Sequence, residues 1–287
     1  MNHPRVIRLR RIVRFLGILY VMAACVGCLS INRLMFHPPY PYGRDEVPNL
    51  VEFGPSNAPV AGVWMPVEGA KRAVLFSYGN AEDLRFVHSR LESFNRMGLS
   101  ALAYDYPGYG RTPGKPTEAS VYAAAETAFR HLADDCGFAV SNIVIVGYSI
   151  GSGPSCYLAE KHDVGGLLLF APFKSAVRVV TQVRILPFDP FPNIARIPRT
   201  RCPVLVFHGT ADRVIPFTHG RAVAKAAGGR GRFFLRGHGA APQVGSDRLH
   251  PLHELVRVHA DIGPLFISHA FPPPLCGRSR SAGWRKC

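Results

Sequence analysis

The stretch Asn142–His162, NIVIVGYSIGSGPSCYLAEKH, decides how the rest of the chain is read. The run from Ile143 to Val146 has the composition of a short strand buried on both faces. It leads into Gly147-Tyr148-Ser149-Ile150-Gly151, and small residues with a helical pattern follow. Strand, G-x-S-x-G and helix in that order is the context in which a serine sits on a sharp, strained turn above a sheet. Side chains at the two glycine positions would collide with neighbouring elements. The serine then meets the start of a helix, whose free N–H groups and dipole favour negative charge. Ser149 is therefore a candidate nucleophile. The plainer alternative is a strand-to-helix turn that uses small residues for packing alone.

A serine hydroxyl reacts only when a base takes its proton, and the base needs a carboxylate to orient its ring. On a sheet of this kind the order along the chain is serine, acid, histidine. Downstream, PVLVFHGTADRVIP places Asp212 just past a predicted strand. Asp189, in PFDPFP, is the weaker rival because it precedes that strand. RFFLRGHGAA places His238 directly after the next predicted strand. His250, His253 and His259 fall in or near a predicted helix, and His208 is expected to buttress the Asp212 loop. An oxyanion site needs two N–H donors aimed at the developing charge. The Ile150 N–H, next after the serine, is one candidate. The Asn80 backbone N–H, in the loop that ends VLFSYGNAEDL, is the other.

Working outward, short apolar runs alternate with helical patterns from Val60 to Gly237. The predicted strands are VAGVWM, RAVLFSY, SALAYDY, NIVIVGY, GGLLLFA, PVLVFHG and GRFFLRG. Predicted helices cover Asp83–Met97, Thr117–Ala133, Gly153–Glu160 and Thr218–Ala227. This alternation predicts an α/β fold with a mostly parallel sheet and helices on both faces. Lys174–Arg201 breaks the rhythm with four prolines and reads as a short cap excursion over the C-terminal sheet edge. His37–Asn49 is proline-rich and reads as an extended linker. The chain from Phe271 onward is expected to be disordered. The predicted organisation is a basic and hydrophobic segment over 1–33, the catalytic domain over 34–265 and a basic tail over 266–287.

Phe15–Ile31 is free of charge and flanked by Arg14 and Arg33, with four more arginines in front of Arg14. As a helix this run spans about 25 Å, just short of a ~30 Å hydrocarbon core. It reads as a signal segment or short anchor, with the arginine-rich front cytoplasmic and the catalytic domain across the membrane. Cys25 and Cys28, in this run, are candidate lipidation sites. The net charge of +15 collects largely at the two termini and forms no basic stripe interleaved with aromatics, so nucleic acid is not the expected partner. The twelve histidines are scattered, and His250-x-x-His253 alone is a weak metal signal. No phosphate-binding or dinucleotide motif appears. Neither a metal nor a cofactor is expected.

Six blocks in order resemble one family: SYGNAEDL, YDYPGYGRTPGKPTEASVY, IVGYSIGSGPS, FAPFKSAVRV, FDPFPNIARI and PVLVFHGTADRVIPFTHG. They look like the α/β-hydrolases of the domain-17 and Bem46-like groups, from about Ala73 to His238. The resemblance implies an α/β-hydrolase fold and a serine hydrolase with Ser149 as nucleophile, Asp212 as acid and His238 as base. Animal domain-17 members are protein depalmitoylases, so it also implies an acylated small molecule or acylated protein as substrate, met at a membrane. Two departures stand out. The family usually has His-Gly-Asn where this chain has Tyr78-Gly79-Asn80, and Gly-His-Asn-Asp where this chain reads GHGAAPQVGSD. The expected activity is cleavage of acyl esters or thioesters. A serine peptidase of the same fold, or a catalytically impaired membrane-anchored scaffold, are the alternatives.

Overall fold

The computed structural model describes residues 4–43, 46–181, 187–236 and 284–286. Nine strands among the described residues form one sheet, in the order β1-β2-β4-β3-β5-β6-β7-β8-β9. They are β1 Leu50–Phe53, β2 Val60–Met65, β3 Ala73–Ser77, β4 Ser100–Tyr104, β5 Ile143–Tyr148, β6 Gly166–Phe170, β7 Val204–Gly209, β8 Gly231–Arg236 and β9 Trp284–Lys286. The six from β4 to β8 in sheet order pair in parallel, while the edge pairings β1–β2, β2–β4 and β8–β9 are antiparallel. β3, β4 and β6 are buried at every residue, which is why they read as unbroken apolar runs in the sequence.

Seven α-helices accompany the described strands: α1 Pro4–Met35, α2 His88–Asn95, α3 Glu118–Arg130, α4 Ser152–Lys161, α5 Ala176–Thr181, α6 Asn193–Arg196 and α7 Thr218–Ala226. α3 starts at a capping box in which Thr117 and Ser120 each satisfy the other's backbone N–H. It closes in a π-turn over His131–Asp135. α1 is longer than the charge-free run that announced it. Its stretch Arg8–Cys28 has a mean hydropathy of 1.7 and is 6% buried. Its 21 residues span about 31 Å as a helix, enough for a ~30 Å hydrocarbon core.

The chain leaves β3 first towards β4 and then crosses to β5 on the other side. β3 and β5 therefore flank the topological switch point, where open α/β sheets bind ligands beyond the strand ends. Their register is fixed, with Ser77 opposite Gly147.

Two segments depart from the sequence reading. His37–Asn49 is no free linker: Tyr42 and Val47 are buried in the core, and so is Phe36 just before it. Proline content hid these apolar anchors. In the tail expected to be disordered, Trp284–Lys286 add an antiparallel strand to the edge of β8, where unpaired backbone groups invite a partner.

Candidate active site

The serine turn has the geometry its motif demands. Ser149, between β5 and α4, has φ 52°, a left-handed backbone rare for a residue with a side chain. A Cβ on Gly147 would lie 2.6 Å from the Ser155 Oγ, and one on Gly151 would lie 2.1 Å from the Ser77 carbonyl oxygen. The second clash is with backbone, so no side-chain rotation relieves it. Gly151 thus lets the start of α4 abut the end of β3. Tyr148, between the glycine and the serine, lies half-buried under the Arg90 guanidinium, 5.5 Å from its ring centre. Ile150 is buried.

Strained residues gather on this edge of the sheet. Ala81 after β3, Ala171 after β6 and Phe191 in the cap excursion also have positive φ. Such outliers persist only where surrounding structure holds them, and they concentrate at functional sites.

The loop after β3 is fixed by its own side chains. The Gly79 N–H donates to Glu82 Oε2 at 2.8 Å, and Arg90 grips the same carboxylate from both guanidinium nitrogens. The Asn80 carboxamide makes a clamp. Its Oδ1 accepts from the His37 N–H at 3.0 Å, the Tyr109 hydroxyl at 2.6 Å and the Ala81 N–H at 3.2 Å. Its Nδ2 donates to the Met35 carbonyl at 2.8 Å and to His37 Nδ1 at 2.9 Å. None of these bonds uses the Asn80 backbone N–H.

Tyr78 points the other way, into the core. Its hydroxyl donates to Asp105 Oδ1 at 2.7 Å, while Tyr42 and the Arg111 N–H hold Oδ2. Burial pushes the Asp105 carboxyl up to about 6, against the lowering effect of these three donors. All three are neutral, so no cation offsets the desolvation. Sequence reading placed Asp105 at the end of the predicted strand SALAYDY and did not single it out as a buried acid.

Asp212 lies three residues past β7 with a nearly buried side chain. Its Oδ1 accepts the Val214 and Ile215 N–H groups, both at 2.9 Å. Oδ2 stands 3.6 Å from His208 Nε2. Burial pushes this carboxyl up, but His208 and the two backbone donors outweigh it, so it is held below the usual carboxylate value. His208 itself is fully buried and donates from Nε2 to the Ile215 carbonyl at 2.7 Å, which makes it a brace for the loop. The rival Asp189 is tied to Arg178 at 2.9 Å. β8 ends at Arg236, opposite Gly209 of β7. His238 lies two positions on, outside the described residues, as do His250, His253 and His259. Among the described residues no group of histidine, cysteine and carboxylate side chains could hold a metal ion. Cys25 and Cys28 are exposed on α1.

The cap excursion roofs this edge. The Phe191 N–H donates to Glu118 Oε1 on α3, and Asn193 Nδ2 donates to Ser152 Oγ on α4. Phe191 packs edge-on against Phe36 and Tyr122.

Comparison with known proteins matches this architecture. A Pyrococcus furiosus esterase superposes with a TM-score of 0.60 over 81% of this chain and 98% of its own, at 17% identity. An α/β-hydrolase from Vibrio vulnificus gives 0.58 over 73% and 80%, at 21% identity. The chain has the α/β-hydrolase fold. The dienelactone hydrolase family matches residues 109–231. Human alpha/beta hydrolase domain-containing protein 17B is 40% identical over 161 residues, which is 54% of this chain and 54% of that protein. The Caenorhabditis elegans domain-containing protein aho-3 is 38% identical over 55% of this chain and 48% of its own length. The match thus spans about half the length of these α/β-hydrolase relatives.

Proposed function

We propose that this chain is a serine hydrolase of carboxylic acyl esters or thioesters, protein S-acyl thioesters among them. The observation that carries the reading is the left-handed Ser149 on the β5–α4 turn, beside the β3 loop at the topological switch point. In this mechanism His238 takes the Ser149 hydroxyl proton as Oγ bonds to the acyl carbon. The carbonyl oxygen becomes an oxyanion held by the Asn80 and Ile150 N–H groups. Collapse breaks the bond to the leaving oxygen or sulfur, which receives the proton from His238. Water, deprotonated by the same histidine, then releases the acid from the acyl-enzyme. Asp212 orients the histidine and stabilises its charged form. Its depressed pKa suits that role, because it stays ionised throughout the neutral range.

The membrane belongs to the same proposal. Met35, bonded to Asn80, lies seven residues beyond Cys28, the end of the membrane-length stretch. Seven helical residues span about 10 Å, which keeps the site near a bilayer surface.

Labelling of the full chain with a fluorophosphonate probe tests the reading. The wild type should label, and Ser149→Ala should not. A wild type that folds yet fails to label favours the scaffold alternative. Turnover of p-nitrophenyl esters and acyl thioesters of graded chain length then separates esterase from thioesterase.

A further inference from the structure

Asn80, in the β3 loop, bonds to Met35 at the end of α1 and to His37 just past it, 45 and 43 positions away in sequence. A carboxamide carries two donors and an acceptor oxygen, and here all are engaged. Oδ1 takes the His37 N–H, the Tyr109 hydroxyl and the neighbouring Ala81 N–H, while Nδ2 serves the Met35 carbonyl and His37 Nδ1. The contact is not a loose surface one. Phe36, between the two bonded residues, is buried and packs edge-on against both Tyr109 and Phe191. The next residue, Ala81, is held at φ 57°.

We propose that the Asn80 side chain is a positioning group that sets the oxyanion N–H from the seat of α1, so that turnover depends on the docking of the membrane-length helix. This rests on the serine hydrolase reading above. The carboxamide and the backbone N–H belong to the same residue. Losing the clamp therefore frees the donor that the transition state needs, without touching the substrate-binding surface. A shift of about 1 Å in such a group costs on the order of 10²-fold in rate.

The test is steady-state kinetics on a short p-nitrophenyl ester with full-length Asn80→Ala and Asn80→Asp. Both keep the backbone N–H. The aspartate keeps the acceptor side but sets a carboxylate against the Met35 carbonyl. The expected result for each is a kcat lowered roughly 10²-fold with KM changed little. His37→Ala removes one partner on the exposed side. It should lower kcat a few-fold alone and add nothing in the Asn80→Ala background, since both changes break one clamp. It also serves if the Asn80 variants fail to fold. Wild-type kcat in Asn80→Ala, or full additivity with His37→Ala, overturns the proposal. Fluorophosphonate labelling of the wild type, with none in Ser149→Ala, keeps that outcome distinct from failure of the hydrolase reading.

Discussion

The loops after β3 and β7 present their key residues in opposite ways. At Asn80 the side chain is tied to structure, and the proposed mechanism uses the backbone N–H. At Asp212 the backbone of Val214 and Ile215 holds one carboxylate oxygen, and the other stands 3.6 Å from His208 Nε2. The difference follows from what each must supply. An oxyanion donor can be a peptide N–H, which any residue carries, so the side chain is free to act as a brace. A charged orienting group must be a side chain, so the brace has to come from the backbone. In the proposed mechanism, mutation therefore reaches the chemistry directly at Asp212 and only through positioning at Asn80.

That contrast can be broken by kinetics. Asp212→Asn keeps an oxygen for the Val214 and Ile215 donors but loses the charge. In the proposed triad it should lower kcat by about 10⁴-fold, measured on the same short ester with Ser149→Ala as the floor. Asn80→Ala should fall well short of that, at roughly 10². Equal losses at the two positions would mean that the two loops do not divide the work in this way.

The smallest expected effect concerns stability and lies behind the β3 loop. The carboxyl of Asp105 is raised to about 6 when folded, from an ordinary value near 3.8. Between those values the folded state binds more protons than the unfolded state. Its contribution is therefore fully present below about pH 4 and is lost as pH rises through about 6. Asp212 works in the opposite sense, its contribution being lost as pH falls. Thermal melts of the wild type and Asp105→Asn from pH 4 to 7 isolate the term. The variant's Tm should gain on that of the wild type by a few degrees as pH rises. Parallel curves would show that Asp105 is not protonated in the folded chain.

Much of this molecule was legible in the sequence because parallel strands are buried on both faces. β2 through β8 each read as an apolar run within a residue or so of their ends. β1 did not, since Leu50–Phe53 is a short edge strand with Glu52 exposed in its middle. α1 outgrew its apolar run because Arg8, Arg10 and Arg11 are good helix formers and nothing ahead of them breaks the helix before Pro4. The Ser149 turn was legible because its cause is local. The Asn80 clamp was not, since its partners beyond the neighbouring Ala81 stand 29 to 45 residues away and include main-chain atoms. Tyr78 was noticed as a departure from the family pattern. Its bond to Asp105 needed the fold to bring β3 and β4 side by side.

The pairing of Ser77 with Gly147 has a consequence for counting molecules. Each step of register between β3 and β5 moves one strand past the other by about 3.3 Å and turns its side chains to the other face. Ser149 and Asn80 extend from those two strands, so a slipped pairing would carry them apart by several times the ~1 Å that catalysis tolerates. A preparation containing both registers would look uniform by secondary-structure content. In the proposed mechanism, active-site titration would count only the in-register chains, which makes the fraction of titratable serine a direct assay of folding quality.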